Sequence, residues 1–195
     1  MTENTAAASA ATEIPGAAHR TAHSYKVFGK VAGETRKGVP STPDAGWSER
    51  AAEGFDGAWQ AAYVPRANPG YVFRKETLED VLHFLERPFG HGLYLAGPTG
   101  CGKTSLITEV CARLRWPCTQ VTFNGRLEFD SLVGRPTVVA REGQSAIRFM
   151  YGPLARAMKL GHVLVLNELD LADPAELSGL NDVLDGRPLV LADNG

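Results

Sequence analysis

The sequence predicts an α/β fold, a parallel sheet with flanking helices, and three observations carry that prediction. His91 to Thr104 reads HGLYLAGPTGCGKT: a short apolar run, a glycine-rich turn and the opening of an amphipathic helix. His162 to Leu166 (HVLVL) is apolar at every position from Val163, as a parallel strand covered on both faces would be. Around these two stretches, apolar residues at helical spacing alternate with strand-length runs, the order that builds parallel sheets.

Taken in order, residues 1–23 are rich in Ala, Thr and Ser without apolar periodicity and read as a disordered tail. His19 and His23 stand four apart, a spacing that suits two metal ligands on a helix, but no further ligand lies near them. A solvated tail is the simpler reading. From 24 to 70 the chain is interrupted by Gly, Pro, Ser and Asp, with apolar islands at Tyr25 to Phe28 and Ala61 to Val64. It is expected to form an extended strap with little regular structure, anchored by Trp47, Phe55 and Trp59. The core domain is placed at 71–195.

That domain opens with a helix from Lys75 to Arg87, whose apolar face is Leu78, Val81, Leu82 and Leu85 and whose stop is Pro88 and Gly90. Leu93 to Ala96 is of strand length. Leu106, Ile107, Val110, Cys111 and Leu114 then mark one face of a helix that ends near Arg115-Trp116-Pro117. Thr119 to Phe123 alternates as a strand, and Arg126 to Val133 suggests a short helix. Thr137 to Ala140 and Ala146 to Met150 flank Glu142-Gly143-Gln144-Ser145, a hairpin signal. Pro153 suits the first turn of a helix to about Leu160. After the strand at 162–166, Asp173 caps a helix with Glu176 completing a capping box, and Leu177, Leu180, Val183 and Leu184 follow before Gly186. Leu189 to Leu191 reads as a further strand, with Asp193-Asn194-Gly195 as a hairpin turn.

Gly97-Pro98-Thr99-Gly100-Cys101-Gly102-Lys103-Thr104 matches the phosphate-binding pattern G-x-x-x-x-G-K-[ST] in full, and Ser105 follows it. Glycines let the backbone curl so that successive N–H groups point at phosphate oxygens. The helix beginning near Lys103 adds its positive dipole end. Lys103 can reach the outer phosphates, and the Thr104 hydroxyl can ligate Mg²⁺. A chance match in a chain of this length is roughly a one-in-a-hundred event at ordinary glycine content. The residues therefore point to a P-loop that binds a nucleoside triphosphate.

The second site is the end of the apolar strand, Asn167-Glu168, 63 residues beyond Thr104. Four apolar residues and then an acidic pair form a Walker B element. Its first residue holds Mg²⁺, and its Glu polarises the attacking water, which makes Glu168 the candidate general base. Asn167 stands where Asp is usual. Its amide oxygen can accept from metal-bound water but brings no charge, a loss of up to roughly 4 kcal/mol at 4 Å and moderate dielectric. Asp170 is a candidate to compensate.

Composition excludes several classes. With 20 basic against 22 acidic residues the net charge is −2, which does not suit a nucleic-acid binder. No apolar run reaches membrane-span length, and the N-terminus has no secretory pattern, so a cytoplasmic setting is expected. Cys101, Cys111 and Cys118 fit neither a disulfide framework nor a zinc pattern. Cys101, beside a helix N-terminus and Lys103, is a candidate for a lowered thiol pKa, although filling a variable loop position is the simpler reading.

From Tyr25 to Asp185 the chain resembles the AAA+ ATPases of the MoxR and midasin-like branch, closest to the cobaltochelatase CobS type. The residues that carry the resemblance are Lys26-Val27-Phe28-Gly29, Gly38-Val39-Pro40, Tyr63-Val64-Pro65, Tyr71-Val72-Phe73, GPTGCGKT, Ala112 to Cys118 (ARLRWPC), Leu132-Val133-Gly134 and Asn167 to Pro174 (NELDLADP). The resemblance implies an AAA+ core, here its N-terminal portion, a parallel three-layer sandwich in which 137–150 is the branch's hairpin insertion. It implies ATP and Mg²⁺ as ligands, ring assembly, usually hexameric, and hydrolysis that remodels a partner, often a von Willebrand A-domain protein. True cobaltochelatase subunits carry Asp-Glu where this chain has Asn167-Glu168. The family's sensor asparagine, arginine finger and helical lid would lie beyond Gly195. The 195 residues alone are therefore expected to bind nucleotide poorly and hydrolyse it negligibly. The strand at 93–96 is expected not to pair directly with that at 163–166. Alternatives are a nucleotide-binding module without turnover and an McrB-like GTP-using restriction motor. The hairpin is a candidate partner or pore contact, with a packing insert as the equal alternative.

Overall fold

A computed structural model describes residues 15–32, 46–88, 91–141 and 144–191. Residues 1–14, most of the expected tail, fall outside these, as do 33–45, 89–90, the hairpin tip at 142–143 and the expected turn at 193–195.

The N-terminal segment is more regular than its composition suggests. β1 (Arg20–Ser24) pairs antiparallel with β3 (Ala51–Phe55), and β2 (Lys30–Ala32) pairs parallel with β4 (Val72–Arg74). Residues 20–23 of this strand lie inside the stretch expected to be tail, and it is a strand because β3 offers it a complete ladder from Arg20↔Phe55 to Ser24↔Ala51. Such long-range pairing leaves little trace in local composition. Tyr25, Phe28, Trp47, Phe55 and Phe73 from this segment are buried and share one core with α1 (Lys75–Glu86) and α2 (Lys103–Leu114). α1 buries Leu78, Val81 and Leu82, and α2 buries Leu106, Ile107, Val110, Cys111 and Leu114, the faces that the helical spacing predicts.

The central sheet is a parallel pair, β5 (Cys118–Thr122) with β8 (Val163–Asn167), in register from Cys118↔Val163 to Thr122↔Asn167. Its two faces are covered by different helices. Val163 and Val165 pack into the core with α2, whereas Leu164 and Leu166 pack with Leu154 of α4 (Pro153–Leu160). This two-sided cover explains the unbroken apolar run of β8. Leu132 of α3 (Phe129–Val133) belongs to the second core, and β6 (Gly134–Arg141) with β7 (Gln144–Tyr151) forms the expected hairpin between α3 and α4.

Four expectations need correction. Leu93 to Ala96 is not a strand. Among the described residues no strand pairs with it, β8 pairs only with β5, and Tyr94 is 78% exposed. An extended segment becomes a strand only when a neighbour supplies its hydrogen bonds. Leu189 to Leu191 likewise forms no ladder among the described residues. The helix after Asp173 is two short pieces, α5 (Pro174–Ser178) and α6 (Asn181–Leu184), broken at Gly179 under the Phe129 ring. Asp173 does cap it, accepting from Ala175 N. Glu176 does not complete a capping box. Its carboxylate accepts instead from Phe129 N at 2.6 Å and so caps α3.

Candidate nucleotide site

The glycine loop turns through three glycines at positive φ: 156° at Gly97, 80° at Gly100 and 91° at Gly102. At Gly100 and Gly102 the strained left-handed backbone demands glycine, and a side-chain position there would face open space. The loop is thus an uncrowded concave strip of backbone. It ends at the N-terminus of α2, whose first N–H groups have no carbonyl to meet within the helix. The Lys103 ammonium donates to the carbonyls of Gly97 (2.8 Å) and Pro98 (3.0 Å), with Cys101 Sγ at 3.9 Å. These bonds brace the loop, and they are ones a phosphate oxygen can replace with a stronger charge-assisted contact.

The two motifs meet at one hydrogen bond. Thr104 Oγ1 donates to Asn167 Oδ1 at 2.7 Å, joining the first turn of α2 to the last residue of β8. A further chain supports it. Thr108 Oγ1 donates to Thr104 O at 2.7 Å and accepts from Gln120 Nε2 of β5 at 3.4 Å. Sequence reasoning missed Thr108 and Gln120. The only local signal was a threonine one turn behind Thr104.

Thr104 and Asn167 present neutral oxygens side by side at the mouth of the glycine loop, a donor set that suits a hard cation retaining most of its water. Mg²⁺ fits there, although without a carboxylate in direct contact. Glu168 follows in left-handed conformation (φ 55°, ψ 43°), exposed and, among the described residues, without a side-chain hydrogen bond. That backbone state costs a non-glycine residue about 1–3 kcal/mol. Asp170, in the helical turn Leu169–Leu171, is exposed as well. Pro98, Thr99 and Ser105 are exposed around the loop, and Cys101 is an exposed free thiol.

Residues 92–195 match the model of the AAA domain of the dynein-related subfamily. The chain belongs to the AAA family. This assigns an ATP-binding P-loop fold to the site just described. Among curated relatives, an uncharacterized protein of Staphylococcus saprophyticus is 37% identical over 122 residues, 62% of this chain and 46% of that protein. The uncharacterized protein YojN of Bacillus subtilis is 39% identical over 101 residues, 52% of this chain and 33% of its own. A Staphylococcus haemolyticus protein is 42% identical over 96 residues, 49% of this chain and 36% of its own. The chain thus spans a third to a half of the length of these relatives.

The AAA domain is held from behind by the N-terminal segment, and ARLRWPC is where that segment docks. Glu109, only 6% exposed, accepts twice from Asn68 N, and Arg113 donates to Val27 O (3.0 Å) and Asn68 O (2.8 Å). Arg115 donates to Asp56 O, and Arg20 lies over the Phe55 and Trp116 rings. Gly54 packs so closely on Leu114 O that a Cβ would lie 2.3 Å from it. The pair His19 and His23 belongs to this joint, not to a metal site: His19 Nδ1 meets Asp56 Oδ2 at 2.9 Å and His23 Nε2 meets Phe55 O at 2.9 Å. Among the described residues no His, Cys, Asp and Glu cluster could hold a metal ion. None of the helices described is long and apolar enough to cross a membrane.

Proposed function

We propose that this AAA domain supplies Mg²⁺-dependent ATP hydrolysis to a ring-forming remodelling protein of the MoxR and CobS-like branch. The observation that carries the reading is the 2.7 Å bond between Thr104 and Asn167, which sets the P-loop against the end of β8. The backbone of Gly97 to Thr104 cradles phosphate, Lys103 neutralises the outer phosphates, and Thr104 with Asn167 holds the cation. The cation, when bound, neutralises charge developing on the phosphates. Glu168 accepts a proton from the attacking water. Its carboxylate is exposed and, among the described residues, has no competing hydrogen bond, so it is available for that role. Hydrolysis, ring assembly and a von Willebrand A-domain partner are proposed for the whole protein, since the relatives extend well beyond this chain.

A second reading, nucleotide binding without turnover, is favoured by the uncharged Asn167 in the metal-facing position. Radiolabelled ATP and GTP hydrolysis on a full-length protein decides between them. ATP turnover abolished by Glu168→Gln, with ATP binding retained, supports the proposal. Binding with no turnover of either nucleotide supports the second reading, and preferential GTP turnover supports an McrB-like motor.

A further inference from the structure

The β6–β7 hairpin has one edge that is closed to pairing and one that is open. Gly152 N donates to Val133 O at 2.8 Å, which extends the ladder one pair beyond Gly134↔Tyr151. Hydrogen-bonded and non-hydrogen-bonded pairs alternate in an antiparallel ladder. Counting from that bond, 135/150, 137/148 and 139/146 bond each other, and 136/149, 138/147 and 140/145 point their backbone groups outward. Pro136 falls on the outer edge of β6, where it withholds an N–H and blunts that edge. The outer edge of β7 carries Ser145, Ile147 and Phe149 with no proline, and among the described residues no strand lies on it.

The same register sorts the side chains. Pro136, Val138, Ile147 and Phe149 share one face, and Val138 and Ile147, directly opposite each other, are 67% and 76% exposed. The other face carries Arg135 and Arg148, both exposed. A two-stranded ribbon open on both faces is marginal in water and gains from a third strand. Its roots are fixed: a Cβ on Gly134 would lie 2.3 Å from Met150 O, and one on Gly152 2.3 Å from Leu132 O. The ribbon therefore projects from a rigid base.

We infer that the outer edge of β7 binds an extended partner segment in which acidic and apolar residues alternate. Main-chain bonds to Ser145, Ile147 and Phe149 would add it as a third strand. Its apolar side chains would extend the Val138 and Ile147 face, and its carboxylates would meet Arg148, the β7 arginine on the other face. The inference stands on the hairpin alone and holds or fails independently of ATP turnover.

The test titrates the 195-residue chain against a fluorescein-labelled, amidated octapeptide in which glutamate and valine alternate, read by fluorescence anisotropy. One control is the octapeptide with lysine in place of every glutamate. The other is a block octapeptide, all its glutamates preceding all its valines, which cannot place charge and apolar groups on opposite faces. The expected result is saturable binding of the alternating acidic peptide, about tenfold or more tighter than either control. Arg148→Glu, a surface change that leaves the ribbon intact, should reverse the preference towards the lysine peptide. N-methylation of alternate residues on one edge of the acidic peptide should abolish binding, because it removes the N–H groups that pair. Equal binding of all three peptides, absence of binding, or indifference to N-methylation would overturn the inference. Binding of a fluorescent ATP analogue by the Arg148→Glu chain, measured in parallel, reports separately on the nucleotide site.

Discussion

Lys103 has two sets of partners available to one ammonium group, and that fixes what its removal should do. In the structure it is bonded to the carbonyls of Gly97 and Pro98, so Lys103→Ala loses both loop bracing and phosphate charge. A charge-assisted contact contributes about 1.5–3 kcal/mol, so ATP affinity should fall about tenfold to hundredfold. Calorimetry checks this, and equal binding by variant and parent would contradict the phosphate role. Asn167 invites the opposite experiment. Its Oδ1 already accepts from Thr104, a bond that either oxygen of a carboxylate could keep, so Asn167→Asp adds charge without losing the link. Nucleotide binding should then saturate at lower Mg²⁺, and a Mg²⁺ titration that does not move would mean that another group already provides the charge.

At the scale of elements, α2 does two jobs. Its first turn holds the nucleotide motif, and two turns later Glu109 and Arg113 hold the strap through Val27 and Asn68. Both side chains are largely withdrawn from water. Arg113 Nε has no hydrogen-bond partner among the described residues, although Glu109 Oε2 stands 3.6 Å away. Breaking such a pair costs more than never having had it. Glu109→Ala leaves a buried guanidinium without its counter-charge and should cost about 3–5 kcal/mol, read as a lower urea midpoint. Replacing both by Met should recover much of that loss, because the desolvation penalty goes with the charges. If the double variant is no better than Glu109→Ala, the bonds to Asn68 and Val27, not the ion pair, carry the stability.

For the whole molecule, one joint between the strap and the AAA domain runs through His162. Its Nδ1 bonds Thr119 Oγ1, its ring packs on Tyr63, and its Nε2 is buried with no partner among the described residues. Burial first, and then the Arg156 charge, lower its pKa below the ordinary 6.5. The folded chain therefore keeps it neutral where the unfolded chain takes up a proton. Its contribution is fully present above the unfolded pKa and is lost as pH falls towards the folded value. Urea midpoints should drop as pH falls through the ordinary histidine value of 6.5 and below, and His162→Gln should flatten that part of the slope. A slope unchanged in the variant would assign the pH dependence to other groups.

The sequence by itself determined the parts whose signal is local. The P-loop was legible because its glycines, Lys103 and Thr104 must stand at fixed spacing for one backbone curl to work. α1, α2 and α4 were legible because a helix satisfies its own hydrogen bonds and needs only one apolar face. β8 was legible because cover on both sides makes every residue apolar. Tertiary structure alone decided which extended segments became strands. Arg20–Ser24 pairs with residues 51–55, far along the chain, whereas Leu93 to Ala96, more apolar, finds no partner strand among the described residues. Glu176 had two N–H groups within its possible reach and went to Phe129 instead of closing a box on its own helix. The meeting of Thr104 with Asn167 was expected from two motifs, but the parallel register of β5 and β8 and the packing of α2 against them set it. Strands and sites are made by partners distant in sequence, and a partner is a property of the folded chain.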